Sequence, residues 1–149
     1  METIKRSNSS DITFRNLVAM LDNELAIIDG EDHSFYHQYN GLDTIKHAIV
    51  FYQGSTAVAC GAIKEHNKET MEIKRMYTLP EYRGFGFASK TLIELENWAR
   101  ELGFTKCILE TGKRQKDAIA LYKKNKYVLI ENYGQYIGVE NSVCFEKVL

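Results

Sequence analysis

Met76-Tyr77-Thr78-Leu79-Pro80-Glu81-Tyr82-Arg83-Gly84-Phe85-Gly86-Phe87-Ala88-Ser89 decides how the rest of the chain is read, because it joins a strand-like run to a long amphipathic one through a glycine turn. Upstream, Glu72 to Leu79 is rich in Ile, Met and Tyr, and Pro80 ends it because proline has no N–H to extend a ladder. Downstream, Ala88, Leu92, Leu95, Ala99 and Leu102 recur at spacings of four, three, four and three, which is one face of a helix, and Gly103 is placed to stop it. Between the two, Gly84 and Gly86 permit backbone angles that a Cβ forbids, and Arg83 sets a fixed positive charge at the mouth of the turn.

A glycine turn feeding a helix start presents unpaired N–H groups and the positive end of the helix dipole, which suits a phosphate or pyrophosphate. The plain alternative is a ligand-free connection, and two glycines alone would favour it. Arginine, proline and helix together favour the anion. Two other phosphate loops are excluded: no Gly-Lys-Ser/Thr ending follows, and only two glycines stand where a dinucleotide fingerprint needs three.

Working outward, residues 2 to 7 form a short edge-strand candidate and Ser9-Ser10-Asp11 offers caps for a helix over about residues 11 to 28, with Leu17, Leu21, Leu25 and Ile28 on one stripe. Glu31 to Leu42 changes to acidic, histidine and aromatic residues, among them Asp32, His33, Phe35, Tyr36, His37, Tyr39 and Asn40. It reads either as a surface connection or as a substrate-facing loop. Strands follow at Ala48 to Tyr52, Thr56 to Lys64 and about residues 70 to 78. In the last of these Met71 and Ile73 share one parity and Met76 takes the other, so a β-bulge near Lys74 or Arg75 is expected. Beyond the central helix come a strand at Lys106 to Glu110 and a helix at about Gln115 to Lys124, with Ala118, Leu121 and Tyr122 inward. Strands at Tyr127 to Asn132 and Asn141 to Val148 close the chain as a hairpin around Tyr133, Tyr136 and Gly138. This order predicts one α/β domain over residues 1–149 with a mixed sheet of about six or seven strands and about three or four helices.

Composition removes whole classes of function. Apolar residues at 44% and charged residues at 26% describe an ordinary globular chain, and a net charge of −1 carries no nucleic-acid signature. Cys60, Cys107 and Cys144 are odd in number and sit in apolar runs, as buried reduced thiols do. No CxxC pair or HExxH appears, and His33, His37, His47 and His66 show no ligand spacing backed by cysteines or carboxylates, so no metal is expected. Met1 to Arg6 has no apolar leader core and no run approaches a membrane span, so a cytoplasmic protein without membrane contact is the default.

At Arg83, Gly86 and Ala88 the sequence resembles the GCN5-related N-acetyltransferases, whose pyrophosphate motif is Gln or Arg, two residues, Gly, one residue, Gly or Ala. The run Ala118-Ile119-Ala120-Leu121-Tyr122 is similar to that family's second signature, Asn-x-x-Ala-x-x-Leu-Tyr. The resemblance implies acetyl-CoA as cosubstrate and transfer of its acetyl group to a primary amine of a small molecule or peptide by direct attack in a ternary complex. It implies pyrophosphate binding by the backbone of Arg83, Gly84, Phe85, Gly86, Phe87, Ala88 and Ser89, and pairing of the pantetheine arm with Met76, Tyr77 and Thr78. It also implies strands splayed around the thioester, Tyr122 as the acid for the departing thiolate, and Glu72 as the base, with Glu110 or ordered water in reserve.

Two positions depart from the pattern. Gln115 stands in place of asparagine and keeps an amide for the cofactor on a longer arm; Lys126 stands where glycine is usual, so either it takes a left-handed cap or Asn125 makes the turn. A non-catalytic acyl-CoA sensor of the same fold and an interaction domain with a merely structural glycine turn are the alternatives. Asp29, Glu31 and Asp32 form only a thin acidic cluster and leave the amine open, while the terminal strands are candidates for pairing into a homodimer.

Overall fold

In the computed structural model, which describes residues 1–38, 41, 42 and 45–149, the chain runs β1 (Glu2–Ser7), α1 (Ile12–Asp29), a 3-10 turn (Gly30–Asp32), α2 (His33–His37), β2 (His47–Gln53), β3 (Thr56–Glu65), β4 (Thr70–Thr78), α3 (Phe87–Glu101), β5 (Lys106–Gly112), α4 (Lys116–Lys124), β6 (Val128–Ile130) and β7 (Ser142–Val148). One mixed sheet orders seven strands as β1-β2-β3-β4-β5-β7-β6, antiparallel except where β4 and β5 run parallel. Among the described residues no helix is long and apolar enough to cross a membrane.

The helices cover both faces. Asp11 caps α1, its Oδ1 accepting from Thr13 N at 2.9 Å and Phe14 N at 3.1 Å, and so fixes which stripe turns inward. Phe14, Leu17, Val18 and Leu21 then bury against Ala48, Val50, Cys60, Ala62 and Tyr77. On the opposite face Leu92, Leu95 and Ala99 of α3 and Tyr122 of α4 pack on Ile49, Ile63, Met71, Ile73 and Leu109.

The expected bulge is present, at Arg75 and Met76. Cys60 pairs with Tyr77 and Ala62 with Lys74, so two residues of β4 oppose Gly61 alone. Arg75 takes a left-handed φ of 58°, and its buried guanidinium pairs with Asp22 of α1. The extra residue turns Met76 to the face of Met71 and Ile73 and sends Tyr77 to the α1 face. Gly61 makes this possible, since a Cβ there would stand 2.6 Å from Met76 Sδ and 2.8 Å from Leu95 Cδ1. Bent away, β4 pairs with β5 only from Thr70–Lys106 to Glu72–Ile108, and past that level the two strands diverge.

Three segments differ from the sequence expectation or resolve it. Residues 33–37 form a short helix rather than a plain connection, held by packing of Tyr36 against Tyr136 and Cys144 and not by an apolar stripe of its own. The expectations for Tyr39 and Asn40 lie outside the described residues. The strand expected over Tyr127 to Asn132 shrinks to Val128–Ile130, because both its ends are used elsewhere. Tyr127 N closes the α4 cap on Tyr122 O at 2.9 Å, and Asn132 Nδ2 donates to Tyr136 O and Val139 O at 3.0 and 3.1 Å.

In that cap Lys126 itself takes the left-handed position, φ 72°, while Asn125 stays at −89°. The bonds Tyr127 N to Tyr122 O and Lys126 N to Lys123 O make it a Schellman cap in a position that favours glycine. Lys126→Gly is therefore expected to stabilise the fold by about 1 kcal/mol, read as a higher denaturant midpoint at unchanged slope.

Candidate active site

The divergence of β4 and β5 opens a cavity of about 760 Å³, bordered by α1, α2, both strands, the glycine turn and α4. At one end α3 begins at Phe87, with Gly86 at its N-cap in the left-handed region (φ 85°) and Gly84 likewise (φ 87°). No side chain caps this helix, so the N–H groups of its first turn, with no preceding carbonyl to receive them, face the opening. A Cβ on Gly84 or Gly86 would meet no protein atom within 4 Å: the positive φ, not crowding, calls for glycine, and the space beyond is free for an anion. Phe87 anchors the turn from below, its ring 5.2 Å from that of Phe51.

Met76, Tyr77, Thr78, Arg83, Gly84, Gly86, Phe87, Ala88, Ser89, Gln115, Glu72 and Tyr122 all border this one cavity. Phe85 does not: the residue is 68% exposed and lies outside the cavity lining. Arg83 is tied down as well as charged. Its Nε donates to Thr78 O at 2.9 Å, and its two Nη donate to the Glu24 carboxylate at 2.8 and 3.1 Å, so it clamps α1 to the turn. Gln115 sits at the N-cap of α4, and its longer arm fits because Gly112 has no side chain; a Cβ there would lie 3.3 Å from Gln115 Nε2.

Four ionisable groups line the cavity between the diverging strands and α4: Tyr122, Glu72, Glu110 and Lys74. Tyr122, buried on the α4 side, packs against Tyr127 and Phe145, and burial together with the nearby Glu110 charge pushes its phenol pKa up. Glu72 accepts a hydrogen bond from Tyr133 Oη at 2.6 Å and lies 3.8 Å from Lys74 Nζ. Glu110 accepts from Ser142 Oγ at 2.8 Å, and burial raises its carboxyl pKa to about 7. Behind Ser142 the chain of hydroxyls continues, with Tyr36 Oη 2.8 Å from Ser142 Oγ and Asn141 Nδ2 3.4 Å from Tyr36 Oη. Burial lowers the Lys74 pKa.

Sequence reasoning missed Lys74, Ser142 and Asn141 here, named Tyr36 only within a segment read as a surface connection or a substrate-facing loop, and placed Tyr133 only in a hairpin loop. The available signal was strand parity: Glu72 and Lys74 alternate with Met71 and Ile73, so a core on one face put these charges on the other. Register then adds Ser142, which pairs with Gly112 two residues beyond Glu110.

The profile of the acetyltransferase (GNAT) family matches residues 16–127. Over 102 residues the chain is 34% identical to the IAA acetyltransferase of Azospirillum brasilense, covering 68% of this chain and 67% of that one. Over 77 residues it is 39% identical to the N-acetyltransferase YjgM of Escherichia coli, covering 50% of this chain but 46% of that one. A solved Klebsiella pneumoniae chain assigned to the acyl-CoA N-acyltransferases superposes with a TM-score of 0.84 at 33% identity, over 100% of this chain and 98% of that one. A GNAT acetyltransferase of Elizabethkingia anophelis solved with acetyl-CoA bound shares the fold, with a TM-score of 0.73 at 15% identity over 99% and 98% of the two chains. With a profile match over most of its length and these relatives, the chain belongs to the acetyltransferase (GNAT) family and is an acyltransferase of that fold.

Proposed function

We propose that this enzyme holds acetyl-CoA in the gap between β4 and β5 and passes its acetyl group directly to a primary amine bound on the α1–α2 side of the sheet. The observation that carries the reading is the continuity of the cavity: an uncapped helix start at one end and Glu110 with Tyr122 lie along a single opening. The first-turn N–H groups of α3 suit the pyrophosphate, and the β4 edge freed by the bulge offers backbone partners to the pantetheine arm. The backbone N–H groups at the Arg75–Met76 bulge, where two residues oppose Gly61 alone, are the candidate donors to the thioester oxygen.

Of the two candidate bases, the reading favours Glu110. Glu72 is already engaged by a short bond from Tyr133, whereas Glu110, at about 7, is matched to proton removal near neutral pH. The amine reacts as its free base, its ammonium proton having passed to solvent: the nitrogen attacks the thioester carbon and hands one N–H proton to Glu110; the N–C bond forms, the C–S bond breaks, and Tyr122 gives its proton to the departing sulfur. Water then returns a proton to Tyr122, and Glu110 releases its own. No cysteine enters, since burial raises the thiols of Cys60 and Cys107 to about 12 and that of Cys144 to about 11, leaving them protonated.

Three measurements test this. Calorimetric titration with acetyl-CoA should show binding that Gly86→Trp weakens by at least ~100-fold, because the indole fills the space over the helix start. Tyr122→Phe should keep acetyl-CoA binding and lower kcat by about 100-fold; unchanged turnover would remove the phenol from the mechanism. For Glu110, kcat/KM towards the amine should rise as pH climbs through about 7, and Glu110→Gln should lose that limb and about 100-fold of the rate. The same substitution has a stability signature. The folded carboxyl holds its proton up to about 7 against an ordinary value of 4.5, so stability falls as pH rises between those values, and the Gln variant should flatten that slope.

A further inference from the structure

The acids of the cavity form a row. Glu72 pairs with Ile108 across the last rung of the β4–β5 ladder, and Glu110 and Gly112 follow Ile108 on the same face of β5. Above Gly112 stands a third carboxyl: a Cβ on that glycine would lie 3.7 Å from Asp29 Oδ1. Since Gly112 is two residues beyond Glu110, the Asp29 carboxyl sits about 7 Å along the strand from the root of the Glu110 side chain. Three acids far apart in sequence thus line one wall of the acceptor side.

Asp29 is the anomalous member. It is 3% exposed, borders the cavity, and its Oδ1 has no hydrogen-bond partner among the described residues. It also ends α1, where the negative pole of an 18-residue helix disfavours a carboxylate. The Asn141 and Gln115 amides stand beside it over Gly112 without bonding Asp29 Oδ1. Arg114 donates to Asp29 O at 3.1 Å and to the Asp32 carboxylate at 3.2 Å, and Asn141 donates to Tyr36 Oη. His33 and Arg114 are near enough to favour a charge on Asp29, Asp32 opposes it, and burial outweighs them, raising the pKa. A buried acceptor left unmatched destabilises the fold, and a ligand that supplies the missing donor removes that cost. A carboxylate oxygen in this position accepts most strongly from a cationic N–H donor such as an ammonium.

We propose that Asp29 anchors a second amino group of the acceptor, so that the enzyme acts on short diamines, acetylating one nitrogen beside Glu110 while the other ammonium pairs with Asp29 over Gly112. The inference rests on the assignment of Glu110 and of direct transfer made above. The reacting nitrogen gives one N–H proton to Glu110 and forms the N–C bond as the C–S bond breaks; the distal ammonium keeps its proton throughout and serves only for position. Tyr36 and Tyr136, packed on each other, border the same side of the cavity and supply aromatic surface that suits a cationic chain.

The test compares diaminobutane with butylamine by thiol release from acetyl-CoA, using the full chain and its Asp29→Asn and Asp29→Ser variants. For the wild type, KM should be at least about ten-fold lower for the diamine. Both variants should raise the diamine KM by about ten-fold, leave its kcat within about two-fold, and leave butylamine and the acetyl-CoA affinity unchanged. Their thermal midpoints should match or exceed that of the wild type, since an unmatched carboxyl is removed. The proposal is overturned if the wild type treats both amines alike, if the variants impair both amines equally, or if acetyl-CoA binding weakens, which would place Asp29 on the cofactor arm. Acetyl-CoA binding with no thiol release for either amine would instead overturn direct amine transfer, and this inference with it.

Discussion

Two parallel strands that share a ladder for three residues and then part are the constraint from which the rest of this structure follows. Parallel pairing past Glu72–Ile108 would close the sheet and leave no room between α4 and α1. The bulge at Arg75 and Met76 prevents it by bending β4 towards β3. Its cost is local: a left-handed Arg75 is worth about 1–2 kcal/mol of strain, and a buried Nε is unpartnered among the described residues. The contact of the same guanidinium with Asp22 and the packing of Met76 and Leu95 over Gly61 hold the distortion in place. A strained arginine beside an opening fits the tendency of backbone outliers to cluster where ligands bind.

Those local devices were legible in the sequence. The parity change from Met71 and Ile73 to Met76 gave away the bulge because alternation in a strand is strict, and Pro80, Gly84 and Gly86 marked the turn because each is confined by its own backbone chemistry. Lys126 was less transparent. A lysine in a glycine's place leaves two ways to end the helix, and the tertiary pull of Tyr127 into the core with Tyr122 and Phe145 decides for the strained one. The helix at residues 33–37 was invisible for the same reason: its ordering contact, Tyr36 on Tyr136, spans a hundred residues of chain.

The two halves of the cavity differ in how they are encoded. The half proposed for the cofactor is mostly backbone, supplied by one contiguous stretch from Met76 to Ser89, so a short motif suffices to announce it. The acceptor half is made of side chains: Asp29 at the end of α1, Glu72 on β4, Glu110 on β5, and Ser142 on β7. Only the strand order β4-β5-β7 brings the last three together, and that order has a crossover no local pattern declares. A fold that fixes the donor through main-chain groups leaves its acceptor wall open to substitution, which is why membership of the family does not carry the amine with it.

Buried acids in this one chain separate into two kinds, and the contrast argues for reading the second kind as functional. Glu96 is as buried as any, 2% exposed, but Tyr127 Oη and Lys147 Nζ each donate to it at 2.9 Å, on a face packed by α3. It is a satisfied structural pair of the sort that holds β7 to the helix, and breaking it would leave a stranded charge. Glu110 has the Ser142 hydroxyl, and Asp29 Oδ1 lacks a donor among the described residues, although the same fold shows with Lys147 that a lysine can be placed over a buried carboxylate. Stability alone would match all three acids in the same way. Of these acids only Asp29 keeps an unmatched buried oxygen among the described residues, and it borders the cavity while the doubly matched Glu96 does not, which assigns the difference at Asp29 to what the cavity receives.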